Sequence, residues 1–393
     1  MRDDFGPFEG RIWLDCAHQG PLPRVAVDTA QNALEDKRAP HRLADESFFD
    51  VPRRLKAALG ELIGVSPGEV ILGNSTTYGL NLLVQGLPWQ EGDEILVTEG
   101  DFPTTHLTWL PLEKRGVKIR KVTPARGPLQ PEELETALRP ETRVFCTSWV
   151  FSLAGHAIDL EALRAVCRQQ GVLFVVNGSQ GIGAQPLNAG RLPIDALTSC
   201  GFKWLCGPYA TGFCWMRREV TDSLVYEQTY WLHHLGPGYL NTRTGQDDDG
   251  GGRSYDVFCT ANFLNFVPWT ASVRYLLDIG MDRVAAHDQA LVERLIQGLQ
   301  ERGWRVLSPL AGPERTALVV FSHPDHTLNT AIHASLRDLG IHVALRAGRL
   351  RASPHVYNCE EDIDRLWTRS ERPAGTGVVP RRSRETSRCG QPP

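Results

Sequence analysis

Short apolar runs alternate with amphipathic stretches through the first two thirds of the chain. EVILG (69–73), DEILVTEG (93–100), VKIRKV (117–122), RVFCTSWV (143–150) and VLFVV (172–176) each read as a strand. Between them, YGLNLLVQGL (78–87) and LEALRAVCRQQG (160–171) space their apolar residues as a helix does, and Gly171 stops the second. A run such as VLFVV, apolar at successive positions, needs cover on both faces. The pattern therefore predicts an α/β fold with a mostly parallel sheet between helices. After about Trp269 the rhythm changes. A helical stretch over roughly 270–302 leads to WRVLSP, TALVVFSH, a helix over LNTAIHASLRDLG, then IHVALRAG and RLRASP, closed by CEEDIDRLWTRS. That predicts a smaller α+β domain. The expected division is an N-terminal segment 1–20, a large domain 21–268, a small domain 269–370 and a tail 371–393. The tail is rich in Pro, Gly, Ser and Arg and reads as disordered. No internal repeat is visible.

Bulk properties narrow the function classes. The 393 residues are 41% hydrophobic and 22% charged, which suits a globular protein with a large core. A net charge of −4 gives no electrostatic footprint for nucleic acid. No apolar run approaches the ~20 residues a bilayer-spanning helix needs. The opening MRDDFGPFEGRIWLD does not read as a signal peptide. Nine scattered cysteines read as reduced thiols of a cytoplasmic protein. Cys200, Cys206 and Cys214 lack the close pairing and histidine partners of a zinc site, so no metal is expected. GQDDDGGGR (245–253) reads as a solvated loop rather than a cation site.

The chemistry centres on Lys203, in LTSCGFKWLCGPYATGFCWM, between Phe202 and Trp204. Desolvation favours neutral amines, and a neutral amine attacks an aldehyde. A lysine alone more often snorkels at the surface. Its company changes that reading. GNSTTYGLN (73–81) sets small hydroxyl residues between a strand and a helix, where helix N-termini bind phosphate, although N-capping explains them equally well. VVNGSQG ends another strand, where α/β sheets take ligands. Phe102 follows the strand 93–100 and could stack on a flat cofactor, though core packing is the commoner role for an aromatic.

These motifs, with IWLDCAHQGPLP, DFPTTHLTW, GFKWLCGPYATGF, VFCTANF and RLRASPHVYNCEEDIDRL in order, resemble the class V group of fold-type I pyridoxal-phosphate (PLP) enzymes. That group includes cysteine desulfurases, kynureninase and isopenicillin N epimerase. The likeness runs from about residue 10 to 370. It implies a large PLP domain with a seven-stranded, mostly parallel sheet, plus a small C-terminal domain. It implies Lys203 as the Schiff-base lysine that also shuttles the Cα proton, and Thr76 and Thr77 as phosphate ligands. It implies Phe102 stacked on the cofactor ring, Gln180 donating to its phenolic oxygen and Ser179 beneath it. Arg351 matches the arginine that forks onto a substrate carboxylate. Thr260 matches the residue that reaches a neighbouring subunit's phosphate, which implies a homodimer with shared sites. His18 borders the substrate pocket. The implied substrate is a small amino acid or amino-acid conjugate.

Three departures bear on the reaction. Asn177 stands where the group usually has Asp. A carboxylate keeps the ring nitrogen protonated and strengthens the electron sink, whereas Asn brings no charge. That disfavours fast transamination more than epimerisation or some eliminations. The loop SWVFSLAG (148–155) offers only Ser152 where an Asn is common. RAGRL, between Arg346 and Arg351, is short and holds no cysteine, which disfavours desulfurase chemistry of the persulfide type. Cys359 lies beyond it and reads as structural. The ending resembles the epimerase-like branch. A catalytically weakened or non-catalytic protein of the same fold is the alternative.

Overall fold

In a computed structural model, residues 1–192, 194–225, 230 and 255–370 are described. The 245–253 loop and the 371–393 tail lie outside them, so neither reading is tested. The strands of the first part are β1 (Ile12–Trp13), β2 (Val70–Gly73), β3 (Glu94–Thr98), β4 (Lys118–Val122), β5 (Thr142–Ser148), β6 (Leu173–Asn177), β7 (Ala196–Cys200) and β8 (Gly212–Met216). Strands β2 to β8 form one seven-stranded sheet in the order β2-β8-β7-β6-β5-β3-β4. Strand β8 runs antiparallel to both neighbours, and the other pairings are parallel. The five expected strands are present with their ends slightly shifted. Strands β7 and β8 flank the lysine motif.

Side-chain alternation explains why this sheet is covered twice. Leu96, Phe145, Phe174 and Val176 point into one core, with Leu55, Leu59 and Ile63 of the helix Ser47–Ile63. Ile95, Val97, Val144, Cys146 and Val175 point into the other, against Leu80, Leu83 and Val84 of the helix Thr76–Gly86. Phe145 and Phe174, on adjacent strands, stack with centroids 5.5 Å apart. Truncating such a ring to Ala typically costs about 3–5 kcal/mol.

The second part adds β9 (Arg305–Val306), β10 (Val319–Ser322), β11 (Ile341–His342), β12 (Ala344–Arg346) and β13 (Arg349–Ala352). Four of them make an antiparallel sheet ordered β12-β13-β10-β9. Leu291, Leu295 and Leu299 cover it from the helix Met281–Glu301, with Ile363 and Leu366 from Glu360–Ser370. Strand β1 pairs in parallel with β11, so the N-terminal segment is knitted to the small domain.

The single helical stretch expected over 270–302 is two helices, Phe263–Ile279 and Met281–Glu301. They meet at Gly280, whose φ of 90° no right-handed helix accommodates. The expected division at 268/269 falls inside the first helix, whose Trp269 is buried against Gly201 and Gly207. Among the described residues no helix is long and apolar enough to cross a membrane.

Candidate active site

Parallel strands carry their carboxyl ends to one edge, where open α/β sheets hold ligands. Loops leaving β2, β3, β5, β6 and β7 line a cavity of about 550 Å3 there. His18, Thr76, Thr77, Phe102, Asn177, Ser179, Gln180, Lys203 and Arg351 all line it. Thr260 does not. It is buried after Cys259, outside this cavity.

The hydroxyl turn divides its labour. Ser75 is the N-cap of the helix Thr76–Gly86 and accepts the Tyr78 N–H at 3.3 Å. Thr76 and Thr77 are therefore not needed as caps. Their hydroxyls lie 2.6 Å from Ser179 Oγ and Thr104 Oγ1 respectively. Thr198 Oγ1 donates to the Thr76 carbonyl at 2.7 Å and fixes the turn over β7. A side chain at Gly212 would strike the backbone of Ser75, so the start of β8 must be glycine for the turn to sit this low.

Lys203 leaves the loop after β7. Its Nζ sits 5.3 Å from the Phe102 ring centroid and 6.0 Å from that of Phe202. Among the described residues it pairs with no carboxylate. The N-terminal segment lies over the loop: Gly20 N–H donates to the Phe202 carbonyl at 2.9 Å, and a Cβ on Gly20 would collide with the Lys203 carbonyl. Phe102 is placed by Asp101, which accepts the Phe102 N–H at 2.6 Å and the Ser148 N–H at 2.7 Å. Burial pushes the Asp101 carboxyl up, and these hydrogen bonds oppose it.

Asn177, at the end of β6, is oriented by its neighbours. The Ser179 N–H donates to its Oδ1 at 3.1 Å, and its Nδ2 donates to Thr105 Oγ1 at 3.3 Å. The remaining Nδ2 hydrogen is the amide's open donor. Gln180 is committed at both ends. It donates to the Ala17 carbonyl at 3.0 Å and accepts from Trp204 Nε1 at 2.8 Å. One amide hydrogen is left for a ligand.

Arg351 is not a free fork. Its guanidinium donates to Asp15 at 3.1 Å and to the Ser152 carbonyl at 3.1 Å, while its buried Nε has no partner. Burial lowers the arginine and raises Asp15, each opposed by the other's charge. Two lining residues escaped the sequence reading as site groups, Cys200 at the end of β7 and Arg346, and so did Asp15, which holds Arg351 from outside the lining. Arg346 is exposed at the end of β12, where it pairs with Arg349 across the tight turn into β13. Two arginines flanking a short RAGRL turn are its only sequence signal.

The three cysteines weighed as a set do not converge. Cys200 lines the cavity and Cys214 packs near Gly79, while Cys206 lies beside Cys16 and His355. Cys359 sits with Arg2 and Glu361, outside the cavity.

Comparison with known proteins agrees with this architecture. The family "Aminotransferase class-V" matches residues 12–366. A probable cysteine desulfurase of Methanothermobacter thermautotrophicus is 25% identical, covering 96% of this chain and 98% of the relative. Isopenicillin N epimerase of Streptomyces clavuligerus is 26% identical, covering 92% and 96%. A solved structure of a C-DES mutant with glycine covalently linked to the PLP cofactor superposes with a TM-score of 0.84 at 22% identity, covering 94% of this chain and 99% of that one. The chain belongs to the aminotransferase class-V family and is a PLP-dependent enzyme.

Proposed function

We propose that this enzyme moves the Cα proton of a small amino acid or amino-acid conjugate, with epimerisation favoured over transamination, and that Lys203 is the group that moves it. The observation that carries the reading is the orientation of Asn177. Its Oδ1 is taken by the Ser179 N–H, so the edge left for a ligand is a donor without charge. A neutral donor suits an unprotonated pyridine nitrogen and supports a weaker electron sink than Asp does.

The residues present fit PLP. Thr76 and Thr77, with the N-terminus of the helix they begin, offer hydroxyls and unpaired N–H groups for its phosphate. Phe102 offers a ring face, and Gln180 one amide hydrogen. Bound PLP supplies an aldehyde for an amine to attack and a conjugated ring that takes electron density from Cα. The Lys203 amine lies near the Phe102 and Phe202 rings at the cavity, which supports its taking and returning a proton. Phe102 would hold a ring but has no titratable group of its own to assist proton transfer. Arg346, exposed at the cavity mouth, and Arg351, tied to Asp15, supply positive charge for a carboxylate. The RAGRL turn holds no thiol, which disfavours a protein-bound persulfide; Cys200 is buried at the end of β7. Cytoplasmic location and a homodimer with Thr260 reaching the partner's phosphate belong to the same reading. They rest on the resemblance of the VFCTANF motif and of the whole chain to the class V group.

The test is the visible spectrum of the protein loaded with PLP and titrated with L- and D-amino acids in deuterated water. Deuterium entry at Cα with little keto acid supports the reading. Fast keto-acid release, or sulfur release from cysteine, would displace it. Lys203→Ala should abolish the adduct trapped by borohydride, and an intact adduct there would refute the assignment of the lysine.

A further inference from the structure

Beneath the lysine loop lies a second polar cluster that the reaction does not use. Cys16 comes from the N-terminal segment, Cys206 from the loop after Lys203 and His355 from the small domain. Their two Sγ atoms and one imidazole nitrogen lie within 4.8 Å of one another, and all three residues are 0% exposed. Asp288, also fully buried, takes His355 Nδ1 at 2.7 Å, while its Oδ1 has no partner. The Tyr357 hydroxyl is buried against the Cys16 thiol. Cys206 holds φ at +47°, a left-handed conformation that costs a residue with a Cβ.

Buried polar groups are nearly always paired, so this gathering needs an explanation. As a purely polar strut it is incomplete. His355 Nε2 reaches the Trp204 carbonyl at 3.0 Å, which bridges the loop to Asp288. The thiols make only long carbonyl contacts, Cys16 to the Lys203 carbonyl at 3.8 Å and Cys206 to the Trp204 carbonyl at 4.0 Å, and Asp288 Oδ1 stays unpaired. Two thiols and an imidazole supply three of the four ligands that a tetrahedral zinc takes. A carboxylate on the far ring nitrogen is the usual partner that orients a metal-bound histidine.

We propose that Cys16, Cys206 and His355 ligate one buried zinc-class divalent ion, with Asp288 orienting the imidazole and Tyr357 as the remaining polar group beside it. The ion takes His355 Nε2 in place of the Trp204 contact. Zinc–sulfur bonds of roughly 2.3 Å place tetrahedral ligands under about 4 Å apart, so the side chains close by small rotations. The two thiol protons and the Nε2 proton leave to solvent, and no electrons move. The ion clasps the N-terminal segment, the lysine loop and the small domain. Cys16 precedes Ala17, whose carbonyl holds Gln180, so the clasp anchors the cavity floor.

The experiment measures zinc per chain by inductively coupled plasma mass spectrometry. The protein is grown with zinc and purified without chelator, both loaded with PLP and stripped of it. This readout is independent of the cofactor chemistry proposed above. About one zinc per chain is expected, with a sulfur-and-nitrogen shell in zinc-edge absorption. Cys16→Ser and His355→Gln should each lower occupancy at least tenfold, while Cys214→Ser should not. If these variants fail to fold, wild-type protein refolded with cobalt(II) should show a thiolate-to-cobalt absorption band. Less than a tenth of an equivalent of zinc with no cobalt band would overturn the proposal. So would unchanged zinc in folded Cys16→Ser, or a Cys16–Cys206 disulfide in the native protein.

Discussion

The side chain of Lys203 faces one polar cluster and its carbonyl lies near another, and the two are built from different chemistry. The cavity collects hydroxyls, amides and arginines, most already bonded to one another: Thr76 to Ser179, Thr77 to Thr104, Asn177 to Thr105. Such groups exchange partners cheaply when a ligand arrives, because each hydroxyl both donates and accepts. The cluster below collects two thiols, an imidazole, a carboxylate and a phenol, fully enclosed, with one carboxylate oxygen of Asp288 unpaired. The difference teaches that polar groups serve two ends in one fold. In the reading proposed above, the open set would trade bonds with a substrate and the sealed set would hold three parts of the chain together.

Substitutions can separate the two. The largest effect belongs to Lys203→Ala, which should lower turnover by at least ~10³-fold while leaving the urea midpoint nearly unchanged. A parallel collapse in stability would show that the lysine is a structural residue and dissolve the comparison. Asp288→Ala should do the reverse. It leaves the buried His355 unpaired and should cost about 3 kcal/mol by urea unfolding, with the PLP absorption band retained. Loss of the band in a still-folded Asp288→Ala protein would mean the sealed cluster acts in cofactor binding. Asn177→Asp sharpens the cavity side. Supplying a carboxylate should raise a transaminase half-reaction by roughly tenfold and shift the pH dependence of the PLP band. No change, or a loss, would mean the pocket is tuned to a neutral ring.

The smallest effect tests burial without a partner. His156 stacks on Phe151 with centroids 4.8 Å apart, and burial alone brings its pKa down to about 4. Because the folded value lies below the unfolded one, the unfolded chain binds the extra proton first. Stability should therefore fall as pH drops from about 6.5 through 4. His156→Phe should flatten that limb in thermal melts, and an unchanged slope would place the titration elsewhere.

Legibility in the sequence followed distance along the chain. The strands were visible because apolar runs bounded by turns report burial locally. The split at Gly280 was not, since an isolated glycine inside a helical pattern is often tolerated. Strand β1 was invisible because two residues carry no period, and its pairing with β11 joins opposite ends of the chain. Nine of the ten site candidates line one cavity, and six of them (Thr76, Thr77, Phe102, Asn177, Ser179 and Gln180) sit in short motifs at or just after the ends of β2, β3 and β6. Arg351 was found, but its partner Asp15 was not, because an ion pair between distant segments leaves no local pattern. The expectation of no metal rested on cysteine spacing, which compared Cys206 with Cys200 and Cys214. Folding instead sets it beside Cys16 and His355.

By itself, then, the sequence determined the two-faced sheet, the hydroxyl turn, the lysine loop and the aminotransferase class-V membership, for alternation and short motifs act over a few residues. Only the tertiary structure decided that Arg351 is shared with Asp15, that Asn177 turns its amide donor outward, and that two thiols and an imidazole meet beneath the lysine. Those outcomes depend on which distant segments exclude water together, and burial of that kind is a property of the packed chain rather than of any stretch of it.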